Sequence, residues 1–549
     1  MYLKFAVILP RRASRFAARV VSILFLSLVS PLTFAATIEQ AFEQAVQSLN
    51  AGDFAAKAEA AQRLSQMDHP RVVRVLNAML EGELQTLRSD KRVVIALKSE
   101  GGYRVKDAAS GEDLGSVSRR GVRRVAINNS LRSSLRKLIA RIGLYSPNPE
   151  RRLASVVEMF DSMDATSAAM LRVALEEESN VDVRAAIDDA LALLDLEKGN
   201  QPTQLAAIER LSGNVHASVR SRLVALQKDE NAAAEVRASA ATALLAIEQK
   251  LEIYHFIEIV FFGLSLGSVL VLAAIGLAIT FGVMGVINMA HGELIMLGAY
   301  TTYVVQLLMP TQLGMSLFVA VPAAFLVAGL MGIAIERGVI RFLYGRPLET
   351  LLATFGISLI LQQLVRSIFS PLNRSVSTPE WMSGSLEVVA GLSFTYNRLY
   401  ILAFSLMVFF ALWLVLQRTR LGLEVRAVAQ NRRMAKAMGV RTGWVDSLTF
   451  GLGSGVAGVA GVALSQLTNV GPNLGQSYIV DCFMVVVFGG VGNIWGTLLG
   501  GLSLGIANKF IEPFAGAVVA KILILVFIIL FIQKRPSGLF PQKGRAAES

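Results

Sequence analysis

Three polar side chains lie within six residues of an otherwise apolar stretch, namely Asn288, His291 and Glu293. A neutral imidazole, a carboxylate and an amide together offer both hydrogen-bond donors and acceptors. Ionisable groups inside apolar spans are costly and usually face a polar cavity. The three residues therefore predict a site that hydrogen-bonds a polar solute. The alternative is that they cap a broken helix, because Gly282 and Gly285 interrupt the apolar stretch just before them.

Other polar residues lie in or beside apolar segments further along the chain. Asp481, in a short apolar segment, is grouped with the three residues above as part of the predicted solute pathway, and Gln362 and Gln363 are further candidates. Lys509 and Glu512 lie near the end of a span, where long charged side chains can reach the aqueous interface.

The same residues give little support for catalysis. The order His291-Gly292-Glu293 differs from the zinc-protease pattern, in which two histidines stand four residues apart with a glutamate between them. We therefore predict no metal site. Catalysis inside a membrane would need a pair of side chains from different spans, and His291 with Asp481 is the one pair that the sequence offers. The chain is predicted not to be an enzyme.

The elements that must position these residues are long apolar segments beyond Tyr254. They have the length needed to cross a bilayer, and they predict a polytopic transmembrane helical bundle over 254–541. We expect eight or nine spans, because the segment at 478–490 is short and could be re-entrant. The segments are 256–281, 287–309, 316–335, 351–369, 400–417, 444–467, 478–490, 494–510 and 514–532.

Composition supports a membrane protein with two parts. Only 17% of the 549 residues are charged and 53% are hydrophobic, whereas about a quarter of the residues are charged in soluble proteins. The net charge of +12 comes partly from basic loops between apolar segments, and no nucleic-acid-binding module accompanies it. We predict no nucleic-acid partner. The single cysteine, Cys482, excludes an intrachain disulfide.

The basic loops predict the orientation in the membrane. Positive loops stay in the cytoplasm, and Arg337, Arg341 and Arg346 lie between the third and fourth segments. Further basic residues lie at 418–441, and Lys534 and Arg535 follow the last segment. Counting backward from these loops leaves the N-terminal domain in the periplasm and the C-terminus in the cytoplasm.

The first 36 residues have the features of a secretory signal. Four arginines precede an apolar stretch at 20–29, and small residues at Thr33 and Ala35 suit a cleavage site. The alternative is an uncleaved anchor helix. Either interpretation sends the following segment across the membrane.

The sequence pattern of residues 37–250 predicts a periplasmic HEAT-like helical domain with a small β insertion. Val183-Arg184, Val219-Arg220 and Val236-Arg237 each start a stretch with helical spacing, as in stacked helix pairs. Between 91 and 129 the apolar residues lose their helical spacing, and short strands are expected at 93–97, 102–105 and 122–127. His69 and His216 are interpreted as structural. The domain is either a docking or lid module for a periplasmic partner or a folding appendage.

Four ordered motifs in the membrane half resemble those of branched-chain amino-acid ABC transporter permeases. The first is GLAITFG at 276–282, followed by VINMAHGE at 286–293 and LGAY at 297–300. The second motif runs from RPL at 346–348 to ATFG at 353–356, and the third runs from RTRLG at 418–422 to MGV at 438–440. The fourth is GGVGNIWG at 489–496. The resemblance covers about 256–541.

This resemblance implies a complex with a second homologous permease, two cytoplasmic ATPase subunits and a periplasmic solute-binding protein, and it implies that this chain lies in the lipid bilayer of the bacterial inner membrane. The chain contains no phosphate-loop motif, so no cofactor is expected on it, and ATP and Mg²⁺ are assigned to the partner ATPase. By position, the segment 418–441 would be the cytoplasmic coupling loop. Its predicted coupling residues are Arg418, Gly422, Glu424, Arg426, Ala427, Asn431, Ala435 and Gly439.

A signal peptide followed by a long extracytoplasmic domain is not the usual layout of amino-acid permeases and resembles the urea permease branch of the family. The resemblance thus implies a permease of an ATP-driven importer, with urea as the expected solute. The alternatives are branched-chain amino-acid import by the same type of complex, or a passive solute channel.

Overall fold

The computed structural model describes residues 39–99 and 102–540, which form two compact units separated after Glu248. Both units are mainly helical, so the mostly α fold class is confirmed. The sequence placed the domain boundary at 250–254, but the division falls inside one continuous helix, Ala234–Met284. The predicted signal peptide at 1–36 lies outside the described residues.

Five helices of the N-terminal unit start at asparagine or aspartate caps. The side chains of Asn128, Asn148, Asp164, Asn180 and Asn200 each accept a hydrogen bond from a backbone N–H in the first turn of the next helix. These caps satisfy donors that the helix itself cannot pair. The helices are α1 (39–48), α2 (Phe54–Ser65), α3 (Val72–Glu81), α4 (Asn129–Leu144), α5 (Pro149–Met159), α6 (Ala165–Glu177), α7 (Val181–Lys198), α8 (Gln201–Leu211) and α9 (Ala217–Lys228). Their arrangement as HEAT-like repeats stays a prediction.

A five-stranded antiparallel sheet interrupts these helices in the order β4-β3-β2-β1-β5. Its strands are β1 (Leu84–Leu87), β2 (Val93–Ser99), β3 (Gly102–Asp107), β4 (Asp113–Ser118) and β5 (Val122–Arg124). The sheet thus begins before the predicted insertion at 91–129. The sequence missed β1 because its four residues are all buried and show no alternation. It missed β4 because that strand is rich in Gly, Ser and Asp.

Side-chain contacts tie the N-terminal unit together. The His69 ring stacks on Phe42 with 3.8 Å between ring centroids, and His216 Nδ1 accepts a hydrogen bond from the backbone N–H of Ser218, so both histidines have structural contacts. Arg152 donates two hydrogen bonds, of 2.7 and 2.8 Å, to the buried carboxylate of Glu178. These bonds lower the pKa of Glu178 below its usual value.

The second unit contains the predicted bundle. Within the described residues, seven helices are long and apolar enough to cross a membrane: α10 (Ala234–Met284), α12 (Leu313–Gly338), α13 (Pro347–Phe369), α14 (Tyr396–Arg418), α17 (Thr442–Ser465), α19 (Ile494–Ala515) and α20 (Ala517–Lys534). The remaining elements are α11 (His291–Leu308), α15 (Arg420–Gln430), α16 (Arg432–Ala437), α18 (Leu474–Gly489) and the hairpin β6 (Ser385–Val389) and β7 (Leu392–Thr395).

The number of described helices that qualify as membrane spans by length and composition is therefore smaller than the expected eight or nine. Helix α18 has 16 residues, which is short for a crossing, as the sequence suggested. The predicted span 287–309 begins with a non-helical turn, so α11 is shorter than expected and carries polar residues in its first turn.

Helix α17 lies at the centre of the membrane unit. In its most apolar stretch 89% of the residues are buried, compared with 17% in α20. Its glycines meet the glycines of neighbouring helices: Gly453 faces Gly276 of α10, and Gly458 faces Gly298 of α11. Small residues at such positions allow backbones to approach closely, which is how helices associate in lipid.

This packing predicts that Gly298→Ala destabilises the membrane unit. The added Cβ would lie 2.0 Å from the carbonyl oxygen of Gly458, so the helices must separate, and overpacking of this kind costs about 1–3 kcal/mol. We expect a lower unfolding temperature of the full-length protein in detergent, measured by fluorescence-detected size exclusion after heating.

Gly356→Ala is the matched control, because Gly356 also lies in a membrane helix but nothing stands within 4 Å of the position that an added Cβ would occupy. Its unfolding temperature should stay unchanged or rise, since alanine favours helices by up to about 1 kcal/mol over glycine. Equal destabilisation by the two substitutions would contradict the packing argument.

Candidate functional site

The candidate site forms at a break between two helices. Helix α10 ends at Met284, and Gly285 adopts φ +66°, a conformation that other residues adopt rarely. The chain then turns into α11 at His291. Asn288 Oδ1 accepts a hydrogen bond of 3.0 Å from the N–H of Ala290 within this turn. Asn288 thus bonds to the backbone of the turn, but it does not cap α11, whose first turn has no side-chain cap. Its buried Nδ2 has no hydrogen-bond partner among the described residues.

His291 is fully buried and bonds to the preceding helix. Its Nε2 lies 2.8 Å from the carbonyl oxygen of Ala273 in α10. Since a carbonyl only accepts, Nε2 carries the proton, and in the neutral ring Nδ1 is an acceptor. Nδ1 is buried and bonds to none of the residues that the structure describes.

Glu293 is 1% exposed and meets α13. Its Oε1 accepts hydrogen bonds from Ser358 Oγ at 3.0 Å and from Gln362 Nε2 at 2.7 Å. The second oxygen, Oε2, is buried without a hydrogen-bond partner in the described part of the chain. Ser358 and Gln362 are four residues apart, so they lie on one face of α13 and near the middle of its 23 residues.

That face of α13 carries a polar stripe, of which only Gln362 was predicted from the sequence as a site residue. Polar residues recur every fourth position, which is the helical spacing of one face. Thr354 accepts a 3.1 Å hydrogen bond from the N–H of Met289 and so supports the break. The spacing of four residues was the sequence signal that could have identified the stripe. It comprises Thr350, Thr354, Ser358, Gln362 and Arg366.

Two other candidates lie outside this cluster. Gln363 is exposed. Asp481 forms an ion pair of 2.7 Å with Lys521 of α20, a partner that the sequence did not suggest because 40 residues separate the two. Among the described residues, Asp481 shares no hydrogen bond with Asn288, His291 or Glu293, and its place in the solute pathway stays a prediction.

The charged pair near the end of α19 also lies outside the cluster. Lys509 and Glu512 form an ion pair of 2.6 Å with each other, and their reaching the aqueous interface stays a prediction. Across the described residues, no group of three or more His, Cys, Asp or Glu side chains comes together as metal ligands.

The cluster at the break offers one donor and two acceptors that the described residues leave unpaired: Asn288 Nδ2, His291 Nδ1 and Glu293 Oε2. A buried polar atom without a partner costs about 1–3 kcal/mol. Three such atoms within six residues suit a small polar molecule that supplies the complementary groups. Broken helices around a solute are a recurring device of membrane transporters.

The predicted coupling loop forms two short helices, α15 and α16. Several of its predicted residues shape this segment: Asn431 caps α16, accepting a 3.0 Å hydrogen bond from Met434 N–H, and Gly439 adopts φ +88° after it. Gly422 and Ala435 are buried. The other predicted residues do not share one environment; Arg418 and Arg426 are exposed, whereas Glu424 and Ala427 are half-buried.

The fold and site define a multi-pass membrane protein with a polar site at a helix break, and comparisons with known proteins give its family. Residues 259–532 match the family described as "Branched-chain amino acid transport system / permease component". The high-affinity branched-chain amino acid transport system permease protein BraD of Pseudomonas aeruginosa is 31% identical over 298 residues, which cover 96% of that protein and 52% of this chain. LivH of Salmonella typhimurium, which has the same description, is 32% identical over 296 residues, and these cover 95% of that protein and 52% of this chain.

The chain therefore belongs to the branched-chain amino-acid ABC permease family. Its relatives are transport permease subunits and not enzymes, and in such systems the ATPase is a separate subunit. The ribose import permease protein RbsC of Bacillus subtilis is a more partial match, 31% identical over 134 residues and 42% of its length. No solved structure matches. The branched-chain relatives align over only about half of this chain.

The geometry predicts that Gln362→Leu weakens solute binding. The substitution removes the 2.7 Å hydrogen bond that orients Glu293, and hydrogen bonds to charged groups contribute about 1.5–3 kcal/mol. We expect the KM for uptake to rise about tenfold or more, measured with labelled urea and labelled leucine in cells that depend on this chain.

Gln363→Leu is the control at the adjacent, exposed position. It should leave KM unchanged, with both variants present in the membrane in wild-type amounts. A similar KM change for both variants, or no change for either, would contradict the assignment of Glu293 and α13 to the site.

Proposed function

We propose that this chain is the permease subunit of an ATP-driven importer whose solute is urea. The observation that carries the proposal is the set of unpaired polar atoms at the α10–α11 break, buried inside the membrane unit. Urea presents one carbonyl acceptor and two amide groups that donate. Asn288 Nδ2 matches the carbonyl, and His291 Nδ1 and Glu293 Oε2 match the amide hydrogens.

The solute choice rests also on the layout of the chain. The N-terminal unit precedes the family's matched region, and a permease with such a domain resembles the urea branch. Branched-chain amino acids are the second candidate, and the names of BraD and LivH favour them. Glu293 would suit the ammonium group of an amino acid, and Asn288 Nδ2 could donate to its carboxylate.

The proposal includes the orientation and the partners. The basic loops support a periplasmic N-terminal unit and a cytoplasmic C-terminus, with α15 and α16 at the cytoplasmic face. There they would contact two ATPase subunits that bind ATP and Mg²⁺. A second homologous permease and a periplasmic solute-binding protein complete the proposed complex in the inner membrane.

The proposal predicts that the purified permease pair, reconstituted with its ATPases and solute-binding protein, hydrolyses ATP faster when urea is added. The reason is that the loaded binding protein must bias the transporter toward the hydrolysing state. The measurement is the phosphate-release rate in proteoliposomes with urea, with leucine and without solute.

Stimulation by leucine and not by urea would contradict the urea assignment and favour branched-chain amino acids as the solute. Absence of stimulation by either solute would contradict the importer. Urea flux through the permease pair without any ATPase would instead support a passive channel.

A further inference from the structure

A second polar cluster lies away from the candidate solute site and joins the coupling loop to α17. Asp446, in the first turns of α17, has a fully buried side chain, and both of its carboxylate oxygens accept hydrogen bonds from the guanidinium of Arg432 in α16. The same guanidinium lies over the ring of Tyr344, 4.6 Å from its centroid. Arg432 is the first residue of α16 and therefore belongs to the loop that the ATPase would contact.

The cluster extends to α12. The buried Glu336 accepts a 2.8 Å hydrogen bond from Tyr344 OH and another from Ser447 Oγ of α17. Arg337 lies over the Trp444 ring at 4.0 Å and donates to Ser447 Oγ at 3.3 Å. The coupling loop, α12 and α17 are thus held in one network.

Apolar contacts reinforce this connection. Val425 and Val428 of α15 and Ala435 of α16 are buried against Val445 of α17. Val283 packs on the same cluster and lies in the last turn of α10, two residues before the glycine at which the helix breaks. The coupling loop therefore touches both α17 and the chain segment that leads into the solute site.

Helix α17 has little freedom to absorb a displacement. Its glycines contact the backbone of α10 and α11 directly, because a Cβ on Gly276 would lie 2.1 Å from the oxygen of Gly453 and a Cβ on Gly461 would lie 2.0 Å from the oxygen of Ile295. Ile295 is two residues beyond Glu293. Close-packed contacts of this kind transmit movement instead of damping it.

We propose that the Arg432–Asp446 ion pair transmits movement of α15 and α16 to α17, and through α17 to the solute site at the α10–α11 break. Arg432 and Asp446 are then positioning residues that couple ATP hydrolysis to transport. The inference rests on the proposed importer function, since the movement comes from the partner ATPase.

A purely structural role is the competing explanation. A buried ion pair is weak evidence for stability, although removing one partner of a buried pair is costly. The two explanations differ in what they change: a structural pair sets how much complex assembles, whereas a coupling pair sets how much solute moves for each ATP hydrolysed by the assembled complex.

The test compares Arg432→Gln with Arg433→Gln in the reconstituted importer. Arg433 is the adjacent, exposed residue of the same helix, so its substitution removes the same charge without touching Asp446. For each variant the basal ATPase rate, the solute-stimulated rate and the solute taken up per ATP are measured. Arg432→Gln should lose about tenfold in solute taken up per ATP hydrolysed, as expected for a typical coupling free energy. Arg433→Gln should keep the wild-type uptake per ATP.

Wild-type uptake per ATP in Arg432→Gln, or an equal loss in Arg433→Gln, would overturn the inference. If the complex with Arg432→Gln does not assemble, Arg432→Lys is tested in its place, because lysine keeps the charge but cannot form the bidentate hydrogen bonds to Asp446. Lowered uptake per ATP in the assembled Arg432→Lys complex then supports coupling, and a wild-type ratio overturns it. Absence of solute stimulation in the wild type would instead contradict the proposed function.

Discussion

Direct backbone contact between α17 and its neighbours is the constraint on which the membrane unit depends. In lipid no hydrophobic force draws one helix to another, so association relies on close packing and on satisfied polar groups. The glycines of α17 supply that packing toward α10, α11 and α12. The polar side chains that follow the turn after Met284 are enclosed between α10 and α13, to which His291 and Glu293 bond.

This enclosure explains how a polar site can exist among apolar helices. Asn288 and Thr354 satisfy backbone groups that the break leaves without helical partners. His291 and Glu293 each use one polar atom to hold their position and leave another unpaired. The cluster therefore combines side chains held in place by hydrogen bonds with unpaired polar atoms, as the proposed recognition of a small neutral solute would require.

The sequence identified much of this arrangement from local pattern. Apolar length predicted the membrane helices, and the glycines before Asn288 predicted the helix break that the structure shows. Contacts between distant residues were less accessible: the partner of Asp481 is Lys521, and Ser358 reaches Glu293 from another helix. Only the packing of helices brings such pairs together. Short strand β1 was missed because full burial removes the alternation on which strand prediction relies.

Thiol labelling tests most directly whether the cluster around Glu293 binds the transported solute. Cys482 is the single cysteine of the chain, so Ser358→Cys in a Cys482→Ser background gives one thiol beside Glu293. In the assembled importer, a small water-soluble thiol reagent should label this position, and saturating urea should slow the labelling. A labelling rate that neither urea nor leucine changes, or a position that no reagent reaches during turnover, would contradict solute binding at this cluster.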